Sequence, residues 1–311
     1  MTWTHPKFED HETVSTKAAE TTPFVWRGKL YALENVQRYM DFPGKGPDYR
    51  FHEDGCYIRD LSTDTRLCYP WLNHYFSTIH VLDDRLVLIG GDYGWEQPWW
   101  HIKRFQMMTS DDLTTWSRPV TILEADATEN LFNNALVFDG VRYVLLYETD
   151  DPALGQKFTF RFAVSQDLLH WRKLPMEYVY GSGKYVGGPA LYFHGGDYYL
   201  LYLAETFGKY GFWDTRVARS KDLAVWEDAP VGRSFVYPDT RRITNPALAP
   251  DVHEVNASDV EMVEFEGKVH IWWCGGNQAS VDDLQHATYN GTRKELLEAF
   301  FAADDATARE H

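Results

Sequence analysis

Short apolar runs broken by tight turns recur along nearly the whole chain, and they alternate too quickly for helices. Asn134-Ala-Leu-Val-Phe138, the turn Asp139-Gly140 and Tyr143-Val-Leu-Leu-Tyr147 form one such unit. Pro189-Ala-Leu-Tyr-Phe193, Gly195-Gly196 and Tyr198-Tyr-Leu-Leu-Tyr202 form another. Asp-Gly and Gly-Gly between β-rich runs are the strongest local signal for a β-hairpin. The pattern returns at 77–89 around Asp83-Asp84, at 260–273 around Glu266-Gly267 and at 24–33 around Arg27-Gly28, which makes five hairpins.

A second pattern, Ser-x-Asp-Leu-x-x-Trp, follows three of these hairpins. It occurs at Ser110/Asp112/Leu113/Trp116, Ser165/Asp167/Leu168/Trp171 and Ser220/Asp222/Leu223/Trp226, with successive copies 55 residues apart. Each copy follows a short alternating run, as expected of a strand entering a turn. The Asp is placed to accept backbone N–H bonds in that turn, and the Trp is expected to pack against the next sheet. A fixed period of this length marks a repeat fold, and four-stranded units repeated about an axis are the signature of a β-propeller. A linear solenoid would instead require capping repeats at both ends. The expected fold is therefore all-β, a five-bladed β-propeller of four-stranded antiparallel blades, occupying residues 20–303 as one domain. Its blades fall near 22–70, 72–120, 130–175, 186–230 and 256–291, with 1–19 as an N-terminal extension and 304–311 as a tail. One short C-terminal helix is predicted at 292–303, where Thr292 and Glu295 read as a capping box.

Composition narrows the picture. Apolar residues make up 44%, enough for a substantial core and too many for a disordered chain. The 12 Trp and 19 Tyr suit sheet packing and also sugar-stacking surfaces. A formal net charge of −16 without any basic run disfavours nucleic acid and anionic membrane as partners. The three cysteines form no CxxC, which argues against a disulfide framework or a zinc site; export would allow a Cys56–Cys68 bridge. No signal peptide is visible at the start and no apolar run reaches the ~18 residues of a membrane helix, so a cytoplasmic location is expected.

In antiparallel hairpins arranged about an axis, the start of each first strand and the end of each second strand meet at one mouth. Polar residues expected there include Glu20, Glu34, Tyr75, Asp92, Glu129, Asn134, Glu148, Glu205, Asp259, Asn277 and Gln278. Between a second and a third strand, Trp95, Trp99 and Trp100 crowd one loop, a natural surface for stacking on a sugar. His74 and His253 read as hydrogen-bonding groups, because no His/Asp/Glu spacing reads as a metal site.

These features together resemble the five-bladed propeller glycosidases: the hairpin repeat, the Ser-x-Asp-Leu-x-x-Trp turns, and strands such as Gly196-Asp-Tyr-Tyr-Leu-Leu-Tyr202. That group comprises glycoside hydrolase family 43 (arabinanases, β-xylosidases, α-L-arabinofuranosidases) and its invertase-like relatives, and the resemblance spans residues 20–301. It implies a carbohydrate substrate and three acidic residues at the starts of inner strands: a base in Asp-Pro, an Asp that tunes the acid, and an acid in Glu-Gly-Pro. Ser258-Asp259-Val260 matches the tuning position, whereas Thr22-Pro23 stands in place of Asp-Pro and Gly187-Gly188-Pro189 in place of Glu-Gly-Pro. The resemblance thus implies a glycosidase whose acid and base have moved. Glycoside hydrolysis needs two carboxyl groups, and Glu148 and Glu205, at second-strand ends of neighbouring blades, are the substitutes to expect beside Asp259. Crowding of carboxylates would raise one pKa, as an acid catalyst requires. No cofactor is expected, a central Ca²⁺ being implied by family analogy alone. Two other readings stand beside the glycosidase. The missing acids favour a non-catalytic carbohydrate-binding propeller. A glycoside phosphorylase would need a basic cluster for phosphate, for which Lys103, Arg104 and Arg161 are only dispersed candidates.

Overall fold

A computed structural model describes residues 3–15, 20–36, 55–93, 101–155, 158–206, 211–247, 249–278 and 281–303. The first strand, β1 (Glu9–Ser15), precedes all the repeats. Four groups of four follow, each antiparallel in chain order. The first is β2 (Thr21–Trp26), β3 (Lys29–Val36), β4 (Gly55–Asp60) and β5 (Thr65–Cys68). The second is β6 (His74–Leu82), β7 (Arg85–Asp92), β8 (Arg104–Ser110) and β9 (Val120–Glu124). The third is β10 (Leu131–Phe138), β11 (Tyr143–Thr149), β12 (Thr159–Ser165) and β13 (Arg172–Lys173). The fourth is β14 (Gly187–His194), β15 (Asp197–Glu205), β16 (Trp213–Ser220) and β17 (Trp226–Asp228). The last hairpin, β18 (Asn256–Phe265) and β19 (Lys268–Gly276), continues into β20 (Asp282–Asn290).

The outer strand of that last group comes from the far end of the chain: β1 pairs antiparallel with β20, Glu9 opposite Thr288 and Thr13 opposite Gln285. Residues 9–15 therefore belong to the sheet system, where the sequence reading leaves 1–19 outside it. Their polarity hides them, since Glu9-Asp-His-Glu-Thr-Val-Ser offers no apolar alternation, as suits an exposed edge strand. A single parallel bridge, Trp213 to Asn256, joins the fourth group to the last. The first strands touch in cyclic order: β2 to β6, β6 to β10, β10 to β14, β14 to β18, and β18 back to β2.

The repeated turns form as their chemistry requires. Ser110 Oγ accepts from the N–H groups of Asp112 and Leu113, Asp112 Oδ1 accepts from those of Thr114 and Thr115, and Trp116 Nε1 donates to the Leu113 carbonyl. The copies at Ser165 and Ser220 repeat this network. The satisfied network holds Leu113, Leu168 and Leu223 at φ of 72°, 66° and 69°, a conformation costly for a branched side chain. Contrary to the expected direction, each Trp packs on the preceding sheet. Trp226 stacks on Phe162 of β12 at 5.9 Å, and Trp116 joins a cluster with Phe24 and Trp26 of β2.

The apolar core lies between neighbouring groups as face-to-face layers. The layer between the last group and the first is thin. Trp272 and Leu284 are its buried members, with Val14, Leu30, Leu61 and Val263 partly covered. The helix α1 (Arg293–Glu298) starts at the predicted capping box and stops short of the predicted end. There, side chains take over the carbonyls: Trp3 Nε1 donates to Ala299, and Arg233 to Phe300 and Ala302. The three cysteines are free thiols, and no helix among the described residues is long and apolar enough to cross a membrane.

Candidate active site

Bulges in the inner strands shape the site. Pairing slips between Tyr75 and Thr78 in β6, Leu131 and Asn134 in β10, Gly187 and Ala190 in β14, and Ser258 and Glu261 in β18. At three of these slips one residue turns to positive φ: Phe76 at 52°, Gly188 at 50° and Asp259 at 52°. An extra residue in one strand re-aims the side chains beside it, and left-handed Phe and Asp are strained unless the fold compels them. β2 pairs without a slip, Thr21 opposite Glu34 through Trp26 opposite Lys29.

The result is a cavity of about 130 Å³ to which the first strands or their neighbours from all of these groups contribute. Four carboxyl groups line it: Glu20 just before β2, Glu148 on β11, Asp259 on β18, and Asp282 at the start of β20. Tyr75, Asn133, Gly188 and Gln278 supply hydrogen-bonding groups, and no Lys, Arg or His is among the lining residues. Glu148 is 4% exposed. Its Oε2 accepts from Gly188 N at 3.1 Å and Asn133 Nδ2 at 3.2 Å. Burial, with Asp259 and Asp150 nearby, outweighs those bonds and pushes it up to about 8. Asp259 accepts from Ser258 Oγ, and burial raises it despite that bond. Glu20 stands well above the carboxylate range, through burial and then the charges of Asp259 and Glu148, against a hydrogen bond from Tyr75. Asp282, which accepts from the N–H groups of Gln278 at 2.9 Å and Asn277 at 3.2 Å, rises to about 7, chiefly by burial.

Gly188 stands between two of these acids. Its N–H meets Glu148, and a Cβ on it would collide with Asp259 Oδ1. A Cβ on the adjacent Gly187 would lie 3.7 Å from both Glu148 carboxyl oxygens. The Glu148 carboxyl thus stands beside the position where a side chain on residue 187 would begin.

The other expected residues scatter. Glu205 lines a separate cavity with Arg216 and Tyr237. Glu34 is buried against Arg59, whose Nε donates to it at 2.9 Å, and Asp92 accepts from Arg104 Nε at 2.5 Å. Asn134 ties inner strands together, donating to Phe76 O and accepting from Thr78 Oγ1, both at 2.7 Å. Asn277 accepts from Val281 N at 3.2 Å within its own loop. Glu129 is buried between Arg161 and Lys173. Tyr75 and Gln278 do reach the cavity, Gln278 donating to Ser258 Oγ at 3.3 Å. Trp95, Trp99 and Trp100 lie outside the described residues. The sequence reading passes over Asp282 and keeps Glu20 out of its catalytic set.

Asn35 donates to Ser77 O and accepts from Ser77 N, and Asn134 pairs likewise with Phe76 and Thr78, so both amide side chains tie neighbouring strand groups together. Among the described residues no group of three or more His, Cys, Asp or Glu side chains is arranged to hold a metal ion.

No known family's sequence profile and no curated protein sequence matches the chain. Solved structures do. A protein described as a glycoside hydrolase superposes with a TM-score of 0.68 at 15% identity, over 93% of this chain and 94% of the other. An α-L-arabinofuranosidase of Podospora anserina in complex with cellotriose gives 0.62 at 10%, over 92% and 95%. A family 43 glycoside hydrolase of Bacillus licheniformis gives 0.61 at 14%, over 91% of this chain and 55% of the other. The chain shares the β-propeller fold of these proteins.

Proposed function

We propose that the protein is a glycoside hydrolase that removes a terminal sugar in the axial pit of a five-bladed propeller. The cyclic contacts of β2, β6, β10, β14 and β18 support five blades in one closed ring. The observation that carries the activity is the meeting of Glu20, Glu148, Asp259 and Asp282 in one small cavity whose lining holds no cation. Buried like charges resist joint ionisation, so such a site keeps one acid protonated beside an ionised partner.

Glu148 is the proton donor in this reading, because a group raised to about 8 keeps its proton at neutral pH. It stands beside Gly187, where the resembled family carries its acid. Asp259, steadied in its charged form by Ser258 Oγ, receives a proton from the attacking water. Burial, with Asp259 and Asp150 nearby, keeps Glu148 protonated, and Glu148 and Asp259 in turn raise Glu20. As the C1–O bond breaks, the Glu148 proton passes to the leaving oxygen. The water oxygen bonds to C1 and its proton goes to Asp259, which balances the hydrolysis. Lys103, Arg104 and Arg161, the cations that phosphorolysis would call on, are engaged with Glu129, Asp92 and Asp126 instead.

The test is turnover of an aryl-glycoside panel that includes α-L-arabinofuranosides and β-xylosides. At least one should be hydrolysed; Asp259→Asn should lower kcat by ~10²–10⁴ throughout, and Glu148→Gln should do so where the leaving group needs a proton. Sugar binding without turnover by the wild-type protein would favour the non-catalytic reading, which the absent Asp-Pro and Glu-Gly-Pro already commend.

A further inference from the structure

A second cavity lies beside the pit and is several times larger, about 910 Å³ against about 130 Å³. Cavities of this size suit a ligand of several rings. The two share one wall residue, Tyr185. The β15 end divides between them: Leu203 faces the pit, while Ala204 and Glu205 line the larger space. Trp3, Tyr185, Phe212 and Tyr237 set four aromatic side chains in its wall, and Tyr237 is 65% exposed.

Charges here are compensated. Arg216 Nε lies 3.3 Å from Asp214 and its Nη2 donates to the Glu205 carbonyl at 3.0 Å, while Lys184 is held by Asp228 at 2.8 Å. With its cations already paired, such a wall has little to offer phosphate or another strong anion. Flat aromatic faces interspersed with carboxylate, hydroxyl and guanidinium groups suit an uncharged polyhydroxy ligand, which stacks and hydrogen-bonds at once.

We propose that this groove binds the part of an uncharged glycan chain that lies beyond the sugar held in the pit, so that the preferred substrate is an oligo- or polysaccharide. The inference rests on the hydrolase reading for its direction, and on the shared Tyr185 wall for its continuity. Glu205 then serves as a chain-binding carboxylate, away from the bond that breaks.

Two substitutions test it at positions that face the groove and are well exposed, Tyr237→Ala and Val231→Trp, the latter filling the space from a side chain now 93% exposed. Each is measured on an aryl monoglycoside and on di- to pentasaccharides of arabinose, xylose and glucose. Binding of the same oligosaccharides is followed by calorimetry. The expected result is a ratio of long-substrate to aryl-glycoside kcat/KM that falls about tenfold in both variants, with a matching loss of oligosaccharide affinity, since about 1.4 kcal/mol of stacking is tenfold. Turnover in which neither variant moves that ratio overturns the groove and leaves the hydrolase standing. Groove-dependent binding with no turnover of any glycoside leaves the groove standing and removes the hydrolase. Oligosaccharide affinity that is unchanged in both variants also overturns the groove.

Discussion

Folding strips the carboxyl groups of the pit of water, and the molecule bears that cost as pH-dependent stability. Glu148 moves from an ordinary 4.5 to about 8, so between those limits the folded state holds a proton that the unfolded chain has released. The sign follows: the stability that this group contributes is fully present below about pH 4.5 and is lost as pH rises towards 8, by up to about 1.4 kcal/mol per unit. Asp282 and Glu261, raised to about 7 and 8, act in the same direction. Urea unfolding at pH 5 and pH 8 should show wild-type protein weaker at the higher pH, with a shallower loss in Glu148→Gln. Equal slopes would mean that Glu148 is ionised in the folded protein. Gly188→Ala should lose both activity and stability, by about 2 kcal/mol or more, because φ is +50° there and a Cβ would strike Asp259. At this scale the sequence was only partly legible. The 55-residue period itself carries Glu148 onto Leu203, so Glu205 sits two positions beyond the matching place, and the structure turns it into the neighbouring groove. Glu20 is expected at the mouth but not as a catalytic group, and Asp282 is passed over. One lies just before a strand and the other opens one, and neither matches a motif.

Elements were read well wherever local chemistry dictates them. The Ser-x-Asp-Leu-x-x-Trp turns announce themselves because Ser, Asp and Trp each satisfy backbone groups within three residues. Asp222→Ala, which leaves the Ala224 and Val225 N–H groups without their acceptor, should cost about 1–2 kcal/mol in urea unfolding, while the exposed neighbour Lys221→Ala should change it by less than about 0.5. The inner-strand bulges were not legible. Phe76 and Asp259 adopt positive φ without a glycine to signal it, because contacts distant in sequence compel the turn. β1 escaped for another reason: an exposed, charged edge strand lacks the alternation by which strands are recognised.

Over the whole molecule, the period predicted the repeated hairpins, and the pit follows from their arrangement, since residues as distant as Glu20 and Asp282 meet only when the first strands touch in a circle. The circle has a weak seam. Trp272 and Leu284 are the buried core between the last group and the first, and β1 ties the chain's start to β20. Deletion of residues 1–15 should therefore cost at least about 3 kcal/mol by urea unfolding, since Trp3 and Phe8 go with the strand. It should also promote self-association through the bared β20 edge, seen by sedimentation. The central claim, that the converged acids break a glycosidic bond with Glu148 as proton donor, is tested most directly by leaving-group dependence. A leaving group that departs as a stable anion needs no proton, whereas an alkoxide does. Glu148→Gln should retain near wild-type kcat/KM on dinitrophenyl glycosides and lose about 10²-fold or more on alkyl glycosides, while Asp259→Asn should lose activity on both. Equal losses across leaving groups for Glu148→Gln would contradict the account.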